Sequence, residues 1–220
     1  MHIPDGFLTA PVSIAAWAAS AGSVGYAVRR VNHELGERQV PLMGVTAAFI
    51  FAAQMMNFAV IGGTSGHLLG GALASILLGP WAAMLVLSSV ITIQALLFQD
   101  GGLLAMGANI FNMAVIGVLV GWVTYTSLQR LLRGRFAPVA HTAGAFLAGW
   151  LSIVVSAMLA AGELVLSGTL PAAVALPAMG GWHVLIGVGE GLITVGVLAF
   201  LRLVRPDLLT VHNSAGGAES

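Results

Sequence analysis

The sequence predicts an all-α integral membrane protein, a bundle of seven transmembrane helices with the N-terminus outside and the C-terminus in the cytoplasm. Three observations predict it. The 220 residues are 58% hydrophobic and 7% charged, with a mean hydropathy of +0.98, whereas about a quarter of the residues in a soluble domain are charged. Seven stretches approach the roughly 20 apolar residues needed to cross a hydrocarbon core about 30 Å thick. With seven crossings, all eight basic residues fall on one face of the membrane, as expected where positive charge is retained in the cytoplasm.

The elements follow in order. The opening MHIPDGFL has no basic start and is interrupted by Pro4, Asp5 and Gly6, so it is not a signal peptide and Met1 is expected to be the working terminus. Spans are expected over Leu8 to Val28, Pro41 to Ile61, His67 to Gly79, Trp81 to Phe98, Leu103 to Tyr125, Val139 to Leu166 and Gly181 to Val204. The third is short and joins the fourth through Gly79-Pro80, so the pair also reads as a kinked hairpin. Arg29, Arg30 and Arg38 follow span one, Arg130, Arg133 and Arg135 follow span five, and Arg202 and Arg205 close span seven. Residues 1–7 form an N-terminal segment, 8–205 a single membrane domain and 206–220 a small, polar cytoplasmic tail.

Composition excludes several functions. Cysteine is absent, which removes thiolate metal sites, and lysine is absent, which removes any Walker-type ATPase motif. ATP-driven work must come from a partner. The charge balances with eight basic and eight acidic residues, so nucleic acid is not an expected partner.

Polar groups within lipid are costly without partners. Glu190 lies seven residues after His183, on one helix face, and is expected to form a structural pair with it; a proton relay is the alternative. Asn57, Asn109 and Asn112 are expected to brace helices or support a site. Small residues four apart, at Gly66/Gly70, Gly117/Gly121 and Gly187/Gly191, suit close helix packing. Gly44, Ala48 and Ala52 form a similar stripe that suits a partner membrane protein.

His2 carries the most chemistry. The Met1 amine, the His2 backbone nitrogen once deprotonated and the His2 Nδ1 can bind one metal as fused five- and six-membered chelate rings lying in one plane. A fourth nitrogen completes a square, the geometry of Ni(II), Cu(II) or low-spin Co(II). His67, beside the loop Gly62, Gly63, Thr64, Ser65 and Gly66 on the same outer side, is the expected fourth donor.

MHIPDGFL, NFAVIGGTSGHLLGGALASILLGP from Asn57 to Pro80, and IQALLFQDGGLLAMGANIFNMA from Ile93 to Ala114 together resemble the cobalt/nickel substrate-capture subunits of energy-coupling-factor transporters, the CbiM/NikM family. From about Arg130 onward the resemblance is one of hydropathy and span count. It implies seven helices and an ion site at a tucked-in N-terminus, with Met1, His2 and His67 as ligands. It also implies a transmembrane coupling protein, two ATP-binding-cassette ATPases, a small auxiliary membrane subunit and a place in a prokaryotic cytoplasmic membrane. The chain is then not an enzyme. Its substrate is Co(II) or Ni(II), with a slight lean to cobalt, and it holds no organic cofactor. Residues 62–66 are the expected gate. An intramembrane metalloenzyme and a subunit for an organic vitamin are the alternatives.

Overall fold

A computed structural model describes residues 1–34, 36, 39–60, 64–132 and 134–210. Six helices carry it: α1 Ala10–Glu34, α2 Val40–Met55, α3 Gly71–Phe98, α4 Met106–Leu131, α5 Ala137–Leu166 and α6 Ala172–Val204. The last four are long and apolar enough to cross a membrane; α2 is a shorter apolar helix. The expected third and fourth spans are therefore one element, α3. Gly79 breaks it, with φ 78° and ψ 166°, a conformation open to glycine but strained for other residues. Pro80 follows, and it lacks the N–H that would bridge the break.

The second expected span also differs. α2 stops at Met55, and the chain enters an antiparallel hairpin, β1 Phe58–Val60 with β2 Thr64–Gly66, pairing Phe58 with Gly66 and Val60 with Thr64. The expected gate thus becomes strand over Thr64, Ser65 and Gly66; Gly62 and Gly63 lie outside the described residues. α6 begins nine residues before the expected Gly181, because Pro177 sits near its start without ending it. α4 holds a π-helical stretch, Ile110–Gly117. The expected tail opens with a short helix, Asp207–Thr210, tied by an Arg205–Asp207 ion pair of 2.8 Å.

Close backbone approach through small residues packs the bundle, since lipid supplies no hydrophobic drive between helices. A Cβ at Gly121 would meet the Ala72 Cα at 2.7 Å, one at Gly187 the Trp150 ring at 2.8 Å, and one at Gly191 the Phe146 ring at 2.6 Å. Gly107 likewise admits Trp17, whose indole donates to the Leu104 carbonyl at 3.0 Å. These contacts lay α1 across the start of α4 and α5 along α6. The N-terminal segment runs into one end of this bundle, where Met1, His2 and Ile3 are almost wholly buried.

Candidate metal site

The nine residues before α1 form neither helix nor strand and are held by hydrogen bonds to the rest of the chain. Asn109 accepts the Ile3 N–H at 2.8 Å and donates to the Ile3 carbonyl at 3.1 Å, completing both backbone groups of that residue. The Gly102 N–H adds a second bond to the Ile3 carbonyl at 2.9 Å. Asp5 accepts from the N–H groups of Leu103, Leu104 and Ala105 at 2.9, 2.7 and 3.2 Å. Those N–H groups lie in the turn that leads into α4, and a carboxylate next to a helix N-terminus is favourably placed. The Met1 amine reaches the other wall, donating to the Ser65 carbonyl and lying 3.1 Å from Ser65 Oγ.

His2 and His67 meet in this interior, with ring centroids 4.6 Å apart and planes 21° from parallel. His67 Nδ1 lies 2.7 Å from the Leu68 carbonyl. A carbonyl can only accept, so Nδ1 carries the hydrogen and Nε2 keeps its lone pair. Among the described residues, His67 Nε2, both His2 ring nitrogens and both amide atoms of Gln94 are buried without a hydrogen-bond partner. Such groups are rare in native interiors and each calls for an explanation. His2 Nδ1 stands 3.3 Å from Asp100 Oδ1, and Asn57 donates to Asp100 Oδ2 at 3.0 Å.

Burial sets the protonation. It pushes the Met1 amine down to about 4, against the pull of Asp100. His2 is lowered, chiefly by burial, and His67 well below its ordinary value by burial and then by the neighbouring amine and His2. Burial works against the Asp100 carboxylate, yet its contacts with His2, the amine and Asn57 outweigh that and hold it below its usual range. Near neutral pH the amine and both imidazoles are therefore uncharged, with lone pairs free for a metal.

The structure thus brings Met1, His2 and His67 together, with Asn57 and Asn109 around them. Asn112 lies elsewhere, donating to Glu163 at 2.7 Å. The expected His183–Glu190 pair does not form: Glu190 accepts the Leu69 and Gly70 N–H groups at 2.8 and 2.7 Å, capping α3, and His183 Nδ1 bonds the Met179 carbonyl at 2.7 Å. Asp5, Asp100 and the Ser65 carbonyl are the residues that sequence reasoning missed. Only the run of Gly101 and Gly102 beside Asp100 signalled a close approach. Among the described residues no three His, Cys, Asp or Glu side chains gather as a metal cluster; two of the four expected donors are main-chain nitrogens.

Comparison with known proteins decides the family. The family described as the CbiM cobalt uptake substrate-specific transmembrane region matches residues 2–208. The chain belongs to it. A putative fused nickel transport protein NikMN of Archaeoglobus fulgidus is 43% identical over 98% of this chain and 70% of its own length. A putative metal transport protein of Haloquadratum walsbyi is 44% identical over 95% and 93%. The crystal structure of a transition metal transporter superposes with a TM-score of 0.85 at 35% identity, covering 93% of each chain. This CbiM/NikM-family chain is accordingly an integral membrane, substrate-binding transport component and not an enzyme.

Proposed function

We propose that the chain captures Co(II) or Ni(II) from the outer side and holds it in a near-square site formed by the Met1 amine, the His2 backbone nitrogen, His2 Nδ1 and His67 Nε2. The separation of the two imidazoles carries the proposal. In the chelate the His2 backbone nitrogen is the central donor, so His67 must lie opposite it and beside Nδ1. With metal–nitrogen bonds of about 2.0 Å, imidazoles on adjacent corners have centroids about 4.5 Å apart and on opposite corners about 6.3 Å. The observed 4.6 Å matches the adjacent arrangement.

Seven crossings with the N-terminus outside fit the same site. Asn109 holds Ile3, while Gly117, eight residues along α4, packs against Gly71, the first residue of α3; α3 therefore begins about 12 Å below the N-terminal segment. It ends at Phe98, two residues before Asp100 returns to His2. A straight helix of 28 residues would span about 42 Å. Reversal at Gly79 gives a limb about 12 Å long running in and one about 30 Å long running out; the second is long enough for a full crossing, and the first completes another only together with the chain that leads into it from His67.

ATP hydrolysis by two partner ATPases, acting through a transmembrane coupling protein, drives delivery to the cytoplasm, with a small auxiliary membrane subunit assisting. The paired strands Phe58–Val60 and Thr64–Gly66 are the moving wall, since Ser65 holds the amine. Purified chain with its native N-terminus should bind one Ni(II) or Co(II), and binding should be lost on a short N-terminal extension and on His67→Ala. Binding that survives the extension would remove the amine from the site.

A further inference from the structure

We propose that Asp100 is the counter-charge of the loaded site, a positioning carboxylate that holds the His2 ring and neutralises the captured ion; this rests on the four-nitrogen site proposed above. A divalent cation bound through one deprotonated backbone nitrogen and three neutral nitrogens leaves one net positive charge. His2 and His67 are 3% and 1% exposed, and an unpaired charge in such a setting is costly. One carboxylate must stand beside it.

The other nearby acids are already engaged. Both oxygens of Asp5 accept backbone N–H groups in the turn that leads into α4, and both oxygens of Glu190 accept them at the start of α3. Asp100 alone among these three turns an oxygen to a proposed ligand, with Oδ1 3.3 Å from His2 Nδ1. The fold fixes it there. Gln99 closes α3 in the left-handed conformation (φ 56°), and the Asp100 N–H bonds back to the Gln94 carbonyl at 3.1 Å. Asn57, just past the end of α2, holds Oδ2 at 3.0 Å. Gly101, at φ 97°, lets the turn pass close by: a Cβ there would lie 2.9 Å from Asn109 Nδ2 and 3.3 Å from His2 Cδ2. Two helix ends and a glycine turn thus aim one oxygen at His2.

In the metal-free protein the carboxylate stands 3.3 Å from Nδ1, as an electrostatic contact rather than a formed hydrogen bond. On loading, Nδ1 turns its lone pair to the ion and its hydrogen passes to Nε2, the His2 backbone N–H gives up its proton to water, and Asp100 stays beside the ring as the balancing charge. Residues surrounding the ligands of a metal site typically contribute about ten- to hundredfold in affinity.

The test titrates purified chain bearing its native N-terminus with Ni(II) alone, and records the visible d–d spectrum at saturation. D100N keeps the shape and removes the charge. The expected result is affinity weakened about ten- to hundredfold with an unchanged spectrum, because the four nitrogens remain. D100N affinity within twofold of the parent overturns the inference, and so does a changed spectrum, which would make Asp100 a ligand. Should D100N fail to fold, D100E and D100Q replace it, differing only in charge; equal affinity of the two overturns the inference, and tighter binding by D100E supports it. A parent chain that binds no Ni(II) or Co(II) refutes the four-nitrogen site itself, a result distinct from either.

Discussion

At the scale of single residues, the buried amine ties docking of the N-terminal segment to pH. Its folded value is about 4 against an ordinary 8.0. Between those limits the undocked terminus is protonated and the docked one is not, so docking releases a proton and strengthens as pH rises. The stabilisation is complete above about pH 8 and is lost progressively as pH falls toward about 4; the lowered imidazoles of His2 and His67 add a loss of the same sign below their ordinary 6.5. Hydrogen exchange at the Ile3 N–H, which is bonded to Asn109, reads this directly. Protection, corrected for intrinsic exchange, should fall between pH 8 and pH 5 in metal-free protein, and constant protection would refute the coupling. Of these groups, His2 was legible in the sequence because its chelating power is local, needing only the terminus and its neighbour. Asp100 was not legible. In the sequence it is a polar residue in an outer loop, and its place beside His2 exists only once α3 has folded back to bring position 100 to position 2.

At the scale of elements, the start of α4 and the N-terminal segment stabilise one another. Asp5 supplies acceptors for three N–H groups in the turn that leads into α4, and Asn109 of α4 in turn fixes the chain at Ile3. Gly102 makes this possible, since a Cβ there would lie 2.1 Å from Asp5 Oδ1. Gly102→Ala should displace the carboxylate at a cost of about 1–2 kcal/mol, the usual worth of a helix cap, and weaken Ni(II) binding at least about tenfold through lost preorganisation. Far-UV circular dichroism should stay unchanged; unaltered metal affinity would show that the cap does not support the site. Element type was readable wherever apolar runs were long, as in α4 and α5. The hairpin was not, because FAV and TSG are too short to show a two-residue period and join an apolar run to a glycine-rich one. α6 starts nine residues before the expected Gly181, with Pro177, Gly180 and Gly181 inside the helix. In membrane helices such residues are tolerated where neighbouring groups satisfy the freed backbone.

At the scale of the whole molecule, the small-residue stripes divide into two kinds. Those at Gly117/Gly121 and Gly187/Gly191 are consumed inside the bundle, where a Cβ would strike a neighbour at under 3 Å. The stripe on α2 is not: Gly44, Ala48 and Ala52 are exposed, and a Cβ at Gly44 would meet no atom within 4 Å. In lipid, a smooth face serves close approach of another helix, whereas lipid contact itself asks only for apolar bulk. α2 also leads through Asn57 into the hairpin that holds the amine, so a protein seated on this face would act on the element proposed as the gate. Gly44→Leu and Ala48→Leu are therefore expected to abolish copurification with the coupling protein while leaving Ni(II) affinity of the isolated chain within twofold. Intact copurification of both variants would assign the stripe to lipid, and parallel loss of metal binding would show that α2 shapes the site rather than the assembly.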